Sequence, residues 1–355
     1  MDRQIERILI IRFSSLGDIV LTTPVIDALK GAFPAAEISF LTKLKYRDLL
    51  KADPRITRLV EFDSGGKHRR AGGLMKLISE LRSGDFDLLI DLHSSLRSFL
   101  VRHLVRSKIK IRYRKRWWSR FLMVHCRFLK TKPLHTIDSY LAALKPLGLA
   151  PKHRLPTVYT AEDDLRFAEN FLLERNVKKD NIVIGVHPGA KWEPKRWEPK
   201  KFAQVCRALI DKLKVKIVLF GEVGEEKTVR LVASELPEPS TIRAVGLSLG
   251  QLAALIKRCN CLISNDSGPM HLASAQRVPV VAIFGPTHPK LGFVPLGPKV
   301  SVFCANAKCS PCSLHGERKC RKQSRLCMDA IEPVEVAEAA ERLIAEKSLI
   351  RGISD

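Results

Sequence analysis

Apolar, β-branched runs of about four to seven residues recur along the chain. Each is followed by a loop holding Gly, Pro, Ser or Asp, and then by a stretch with apolar positions three and four apart. That alternation predicts a parallel sheet covered by helices, an α/β fold. Strands are expected at residues 7–12 (RILIIR), 37–41, 58–61 and 87–91, with helices near 24–30, 73–82 and 94–105. The pattern then starts again, with strands at 181–186 (NIVIGV), 216–220, 261–264 and 279–284, and helices over 199–213, 225–236, 250–258 and 268–276. A last helix is expected over 333–348. Pro24 marks either a helix start or a kink inside a longer helix, and the local pattern does not decide between them.

Between the two series lies 145–159 (KPLGLAPKHRLPTVY), with Pro146, Pro151 and Pro156 and little periodicity, which suits a domain boundary. The domains expected are 1–155 and 156–330, followed by a terminal helical segment, 331–355. At 355 residues and 45% hydrophobic, the chain is long enough for two such cores. Its 61 Lys and Arg against 37 Asp and Glu give a formal charge of +24, which excludes an acidic solvating protein and favours anionic partners. No apolar run approaches the ~18 residues of a membrane span, and the start of the chain lacks the apolar stretch of a signal peptide, so a cytoplasmic location is expected.

Four loops at expected strand ends carry candidate chemistry. The first, Phe13-Ser14-Ser15-Leu16-Gly17-Asp18, places Asp18 at the carboxyl edge of a sheet, where it serves either as a helix cap or as a group facing a ligand. The second runs from His187 through Lys191 to Lys195 and Arg196, and its cations and glycine suit a diphosphate, or a solvated basic loop. The third, Gly221-Glu222 with Glu225 and Glu226, could hold ribose hydroxyls or simply favour a helix N-terminus. The fourth, Ser264-Asn265-Asp266-Ser267-Gly268-Pro269-Met270-His271, combines an aspartate with the start of a helix, the form of an anion cradle or of a plain cap.

The segments RFSSLGDIVLTTP, HPGAKWEPKRWEP and NDSGPMHLASAQRVPVVAIFGPTHP, in this order and separation, resemble the ADP-heptose lipopolysaccharide heptosyltransferases of glycosyltransferase family 9. The resemblance implies a GT-B fold: two Rossmann-like domains facing a central cleft, acceptor on the first and nucleotide sugar on the second, with the final helix packing back toward the N-terminal domain. It implies inverting, metal-independent transfer of heptose from ADP-heptose to the inner core (Kdo/heptose region) of a lipopolysaccharide precursor, at the inner face of the cytoplasmic membrane. By position, Asp18 matches the catalytic base and Lys195 the lysine on the donor diphosphate. Asp266, with Ser267, Gly268, Pro269 and Met270, matches the donor-binding turn. His187, Lys191 and Glu222 join the donor set as neighbours in its loops. Ser14, Ser15 and Gly17, with Lys67, Arg69 and Arg70, are the expected acceptor contacts.

Between Asp91 and Asp138 there is no acidic residue but thirteen Lys and Arg, interleaved with Trp117, Trp118, Phe121 and Phe128. Such a stretch suits an anionic lipid surface, single-stranded nucleic acid or a plain solvated face. With the resemblance, the lipid precursor and membrane are the expected partners and nucleic acid is not. Five of the nine cysteines crowd between Cys304 and Cys327. Cys309, Cys312, Cys320 and Cys327 have a spacing that can close a structural zinc or iron-sulfur site, and that serves reduced thiols equally well; no cofactor is required for transfer. Cys126, Cys206, Cys259 and Cys261 read as core residues. Rival readings are a family member using another nucleotide sugar or a later core acceptor, and, from a different class, a basic RNA-binding or regulatory protein with a cysteine-bound metal.

Overall fold

The computed structural model describes residues 5–115, 117–125, 134–151, 153–305, 307–320 and 324–354; Cys126 and Phe128 lie outside them. Contacts divide the chain into two units, Met1–Arg116 with His135–Tyr159, and Trp117–Leu134 with Thr160–Asp355. The basic aromatic stretch, continuous in sequence with the first strand series, therefore enters the second unit at Trp117.

The first unit is built on strands β1 (Arg7–Ile11), β2 (Glu37–Lys43), β3 (Arg58–Phe62), β4 (Phe86–Asp91) and β5 (Ser107–Arg112), all parallel and ordered β3-β2-β1-β4-β5. Strand β1 pairs on one side through Ile8↔Ile38 and on the other through Ile8↔Leu88, so the winding reverses between β1 and β4. Helices α1 (Leu16–Ala32), α2 (Ala71–Arg82) and α3 (Leu96–Leu104) cover the sheet. Leu9, Ile11, Leu41, Leu77, Ile78 and Leu89 share one core, which is why the central strands read as unbroken apolar runs.

Pro24 lies inside α1 and is not its start. A proline cannot donate to the carbonyl four residues back. Here Thr23 Oγ1 donates to that carbonyl, Val20 O, at 2.8 Å, so the helix continues through the proline. After α4 (Trp117–His125), α5 (Thr136–Leu141) returns to the first unit and packs on α1.

Besides α4, the second unit holds α6 (Glu162–Leu173). Its strands are β6 (Val183–His187), β7 (Lys216–Gly221), β8 (Thr241–Val245), β9 (Cys261–Asn265), β10 (Val280–Phe284) and β11 (Val300–Cys304), a parallel sheet ordered β11-β10-β9-β6-β7-β8. Its other helices are α7 (Pro199–Leu213), α8 (Glu226–Ala233), α9 (Leu249–Arg258), α10 (Gly268–Ala275), α11 (Leu326–Asp329) and α12 (Pro333–Ser354). Here the winding reverses between β6 and β9. Helix α12 gives Val336, Ala337, Ala340, Leu343 and Ile344 to the core of the second unit, against α7. Among the described residues, no helix is long and apolar enough to cross a membrane.

Candidate active site

Open parallel sheets bind ligands beyond the carboxyl ends of their strands, where the winding reverses. In the first unit this point lies beyond β1 and β4. Arg12, one residue past β1, is 6% exposed; its Nη1 donates to Leu92 O at 2.6 Å and its Nη2 lies 2.8 Å from Asp18 Oδ2. The same oxygen accepts the Ser15 amide at 3.2 Å and the Ser15 hydroxyl at 2.9 Å, while Oδ1 accepts from Tyr140 Oη at 2.9 Å. Asp18 is therefore a helix-capping carboxylate and the partner of a buried cation at once, and its side chain keeps 22% of its surface exposed.

Burial works to raise the Asp18 pKa, but the Arg12 guanidinium and the donors on Ser15 and Tyr140 outweigh it and hold the carboxyl at about 2. Burial keeps the Tyr140 phenol protonated, so it acts as a donor to Asp18. His93, past β4, is pushed down to about 3 by burial and by the cations Arg12 and Lys115, and is neutral at pH 7. Burial and Arg12 also lower Lys115. Asp91 shapes this loop by accepting the amides of His93 at 2.9 Å and Ser94 at 2.8 Å.

In the second unit the reversal lies beyond β6 and β9. Asn265, last in β9, ties the loops together: its Nδ2 donates to Pro188 O at 2.8 Å and Gly189 O at 3.2 Å, and its Oδ1 accepts the Trp197 amide at 3.1 Å. Asp266 Oδ2 then meets Lys195 Nζ at 2.8 Å and also accepts the Thr287 hydroxyl; the Lys195 and Asp266 side chains are 14% and 9% exposed. His187, last in β6, places Nδ1 3.2 Å from Ser267 Oγ and Nε2 3.3 Å from Glu225 Oε2. Burial acts to raise Glu225, but His187 and the Glu222 amide prevail and lower it. A Cβ at Gly189 would stand 2.3 Å from the Glu225 carboxylate, so this turn has no room for a side chain. Ser267 precedes α10, whose first turn leaves backbone amides beside the Lys195–Asp266 pair.

The expected donor residues His187, Lys195, Asp266 and Ser267 thus meet at one place. Lys191 is exposed and lies over the Trp192 ring, and the Glu222 side chain is exposed at the rim of the next loop. Pro269 has no N–H to offer, and the Met270 side chain is fully buried, so Gly268 and the Met270 backbone are the amides available after Ser267.

Lys67, Arg69 and Arg70 are exposed on a loop beyond β3, at the edge of the first sheet. Asp63 folds that loop by accepting the amides of Gly65, Gly66 and Lys67, and His68 stacks on Phe62. No hydrogen bond joins this loop to Asp18 among the described residues. Part of the basic stretch has structural work: Lys108 pairs with Asp87, Lys110 donates to His103 O, and Arg120 lies over the Phe293 ring at 4.7 Å. Cys206, Cys259 and Cys261 are core residues. Among the described residues, no group of three or more His, Cys, Asp or Glu side chains is placed so that it could hold a metal ion.

Arg12, His93 and Tyr140 were missed by sequence reasoning. Arg12, a cation ending an apolar strand just before a loop, was visible as a signal; Tyr140, 122 residues from Asp18, was not.

The profile of glycosyltransferase family 9 (heptosyltransferase) matches residues 74–322. The chain is 29% identical to lipopolysaccharide heptosyltransferase 3 of Escherichia coli K12, over 76% of this chain and 80% of that one. It is 28% identical to lipooligosaccharide heptosyltransferase 2 of Campylobacter jejuni, over 94% and 97% of the two chains. The crystal structure of the family 9 glycosyltransferase from Veillonella parvula superposes with a TM-score of 0.81 at 27% identity, covering 98% of this chain and 99% of that one. With the profile covering more than half of its length and both parallel-sheet units in place, the chain belongs to glycosyltransferase family 9, the heptosyltransferases.

Proposed function

We propose that this chain transfers heptose, with inversion, from ADP-heptose to a hydroxyl of the inner core of a lipopolysaccharide precursor, with Asp18 as the base and Lys195 as the main cation on the leaving diphosphate. The observation that carries the reading is the Asp18 carboxylate: ionised, oriented by three neighbours, and still partly open at the winding reversal of its sheet. The family and the names of the curated relatives support heptose as the transferred sugar.

In the reaction the acceptor oxygen bonds to the anomeric carbon as the bond from that carbon to the diphosphate breaks, and the electron pair leaves with ADP. The hydroxyl proton goes to Asp18. A carboxyl held at about 2 is a weak base for a sugar hydroxyl, so the proton moves late, once bond formation has made the oxygen acidic. Arg12, Ser15 and Tyr140 act by fixing the carboxylate's position and keeping it unprotonated. On the donor side the diphosphate competes with Asp266 for Lys195 Nζ and takes the amides opening α10, which meet the charge developing on the leaving oxygen. This reading assigns no metal or cofactor a step in the transfer.

Lys67, Arg69, Arg70 and Lys115 are the acceptor's phosphate and carboxylate contacts in this reading, with Ser14, Ser15 and Gly17 nearer the reacting hydroxyl. The exposed Trp117 and Trp118, at 46% and 71%, beside basic residues, favour seating at an anionic membrane surface.

Calorimetric titration with ADP-heptose, ADP, and uridine and guanosine diphosphate sugars tests the proposal. It expects binding of the adenine ligands alone. Preference for another base would move the donor assignment, and folded protein binding no nucleotide would overturn the transferase reading.

A further inference from the structure

Polar side chains meet in a row at the carboxyl end of the second sheet. Glu225 Oε2 lies 3.3 Å from His187 Nε2, His187 Nδ1 lies 3.2 Å from Ser267 Oγ, and Ser267 Oγ lies 3.1 Å from Ser264 Oγ. His187, Glu225 and Ser264 are buried, and Ser267 stands half-buried at the start of α10. A serine before a helix ordinarily turns its oxygen onto the amides of the first turn. Ser267 makes no such bond, and its hydroxyl serves the row instead.

What each group can give fixes where the protons sit. The Glu225 carboxylate only accepts, so the neutral His187 ring carries its proton on Nε2 and has a lone pair at Nδ1. Ser264 Oγ donates to Asn265 O at 2.8 Å, so the bond to Nδ1 takes the Ser267 proton. The oxygens of a diphosphate also only accept. A diphosphate at the amides opening α10, beside Lys195, therefore competes with His187 for that single proton. A hydroxyl that turns to the phosphate leaves Nδ1 buried without a donor, a costly state. A proton on Nδ1 repairs it: the ring donates to Ser267 Oγ, Ser267 donates to the phosphate, and a positive charge stands between the carboxylate and the diphosphate. The other charged or titratable groups on the surrounding elements are engaged or exposed. Lys195 pairs with Asp266, Arg196 Nε donates to Ala190 O at 2.8 Å, Lys191 and Glu222 are exposed, and His271 lies within α10. Glu225, ionised in spite of its burial, is the charge in contact with the ring.

We infer that binding of a diphosphate at this site is coupled to protonation of His187. The Ser267 hydroxyl turns to a phosphate oxygen, Nδ1 takes one proton from solvent, and Glu225 holds the resulting imidazolium; no bond to carbon or phosphorus changes in this step. The inference rests on the donor reading above and deepens it. His187 and Glu225 are positioning residues that act on the diphosphate through Ser267, and the row brings one more positive charge toward the leaving oxygen.

Calorimetry of ADP-heptose binding to the full chain, in two buffers of different ionisation enthalpy and neither a phosphate, counts the protons taken up. The diphosphate of a nucleotide sugar has no monoester phosphate, so the ligand itself does not titrate near neutral pH. The wild type should take up roughly half to one proton per donor between about pH 7.5 and 8.5, and by linkage its affinity should weaken by about three- to tenfold per pH unit there. Ser267→Ala, which leaves the buried His187–Glu225 pair in place, should abolish the uptake and flatten the pH dependence. Glu225→Gln and His187→Gln, checked for folding by thermal melts, should do the same. Donor binding by the wild type without proton uptake overturns the inference and leaves the donor assignment standing. Uptake that survives Ser267→Ala or His187→Gln overturns it equally. A folded chain that binds no ADP sugar overturns the donor reading, and the inference with it.

Discussion

Arg12→Gln should bring the ionisation of Asp18 into the working pH range. Arg12 Nη2 and Asp18 Oδ2 are 2.8 Å apart. At an effective dielectric constant of ~20, unit charges at that distance interact by roughly 6 kcal/mol. Partial exposure of Asp18 screens this; keeping about half leaves roughly 3 kcal/mol, or about two pKa units. Loss of the cation therefore carries the carboxyl from about 2 back toward 4, and burial, then opposed only by Ser15 and Tyr140, adds to the rise. The assay is kcat/KM for ADP release between pH 4 and 8, with a thermal melt at each pH to separate unfolding from titration. The wild type should stay flat down to its unfolding edge, and the variant should show an acid limb about two units higher than Asp18 itself. Stability should follow the same sign. A carboxyl depressed from 3.8 to about 2 stabilises the fold fully above the higher value, and this is lost as pH falls through the lower one. It amounts to roughly 2 kcal/mol at neutral pH. The variant should lack that contribution and unfold in acid at a higher pH. An acid limb unchanged by the substitution would refute the assignment of Asp18 as the titrating base held by Arg12.

Lys195→Ala removes the cation from a carboxylate that is 9% exposed, so the melting temperature should fall by the equivalent of about 2–4 kcal/mol, and ADP affinity by at least about tenfold. Unchanged ADP affinity in calorimetry would transfer the diphosphate contact to Lys191 or Arg196. His93→Asn should make the protein more acid-resistant. The folded histidine titrates near 3 against 6.5 when unfolded, so the unfolded chain binds the extra proton and stability falls as pH drops below 6.5. Urea titrations at pH 4 and 7 should show a smaller pH difference in the variant, and an equal difference would remove His93 from the acid response.

The parts of the fold legible in the sequence were those whose burial is two-sided. Strands β1, β4, β6, β9 and β10 are buried throughout or nearly so and read as apolar runs, whereas the strands passed over, β5, β8 and β11, are all sheet edges. In β5 the sequence Ser-Lys-Ile-Lys-Ile-Arg alternates because one face meets solvent, and lysines on an edge discourage further pairing. The start of α1 was read late because Pro24 looks like punctuation, and only the Thr23 hydroxyl shows how the helix passes through it. Asp18, Lys195 and Asp266 were legible because each follows a strand end. Tyr140 was not, because α5 reaches Asp18 only through the packing of α5 on α1. The membership of Trp117–His125 in the second unit was equally out of reach of local pattern, since it rests on contacts such as Arg120 with Phe293 and Arg318 with His125.

The central claim is that Asp18 takes the acceptor's proton, and Asp18→Asn tests it most directly, since the amide keeps the size of the side chain and loses its basicity. ADP-heptose binding by calorimetry and heptose transfer to a lipopolysaccharide precursor by mass spectrometry should be measured on the same preparation. The account predicts donor affinity within about twofold of wild type and turnover reduced by roughly 10²–10⁴-fold. A variant that binds the donor normally and transfers heptose at near wild-type rate would contradict it.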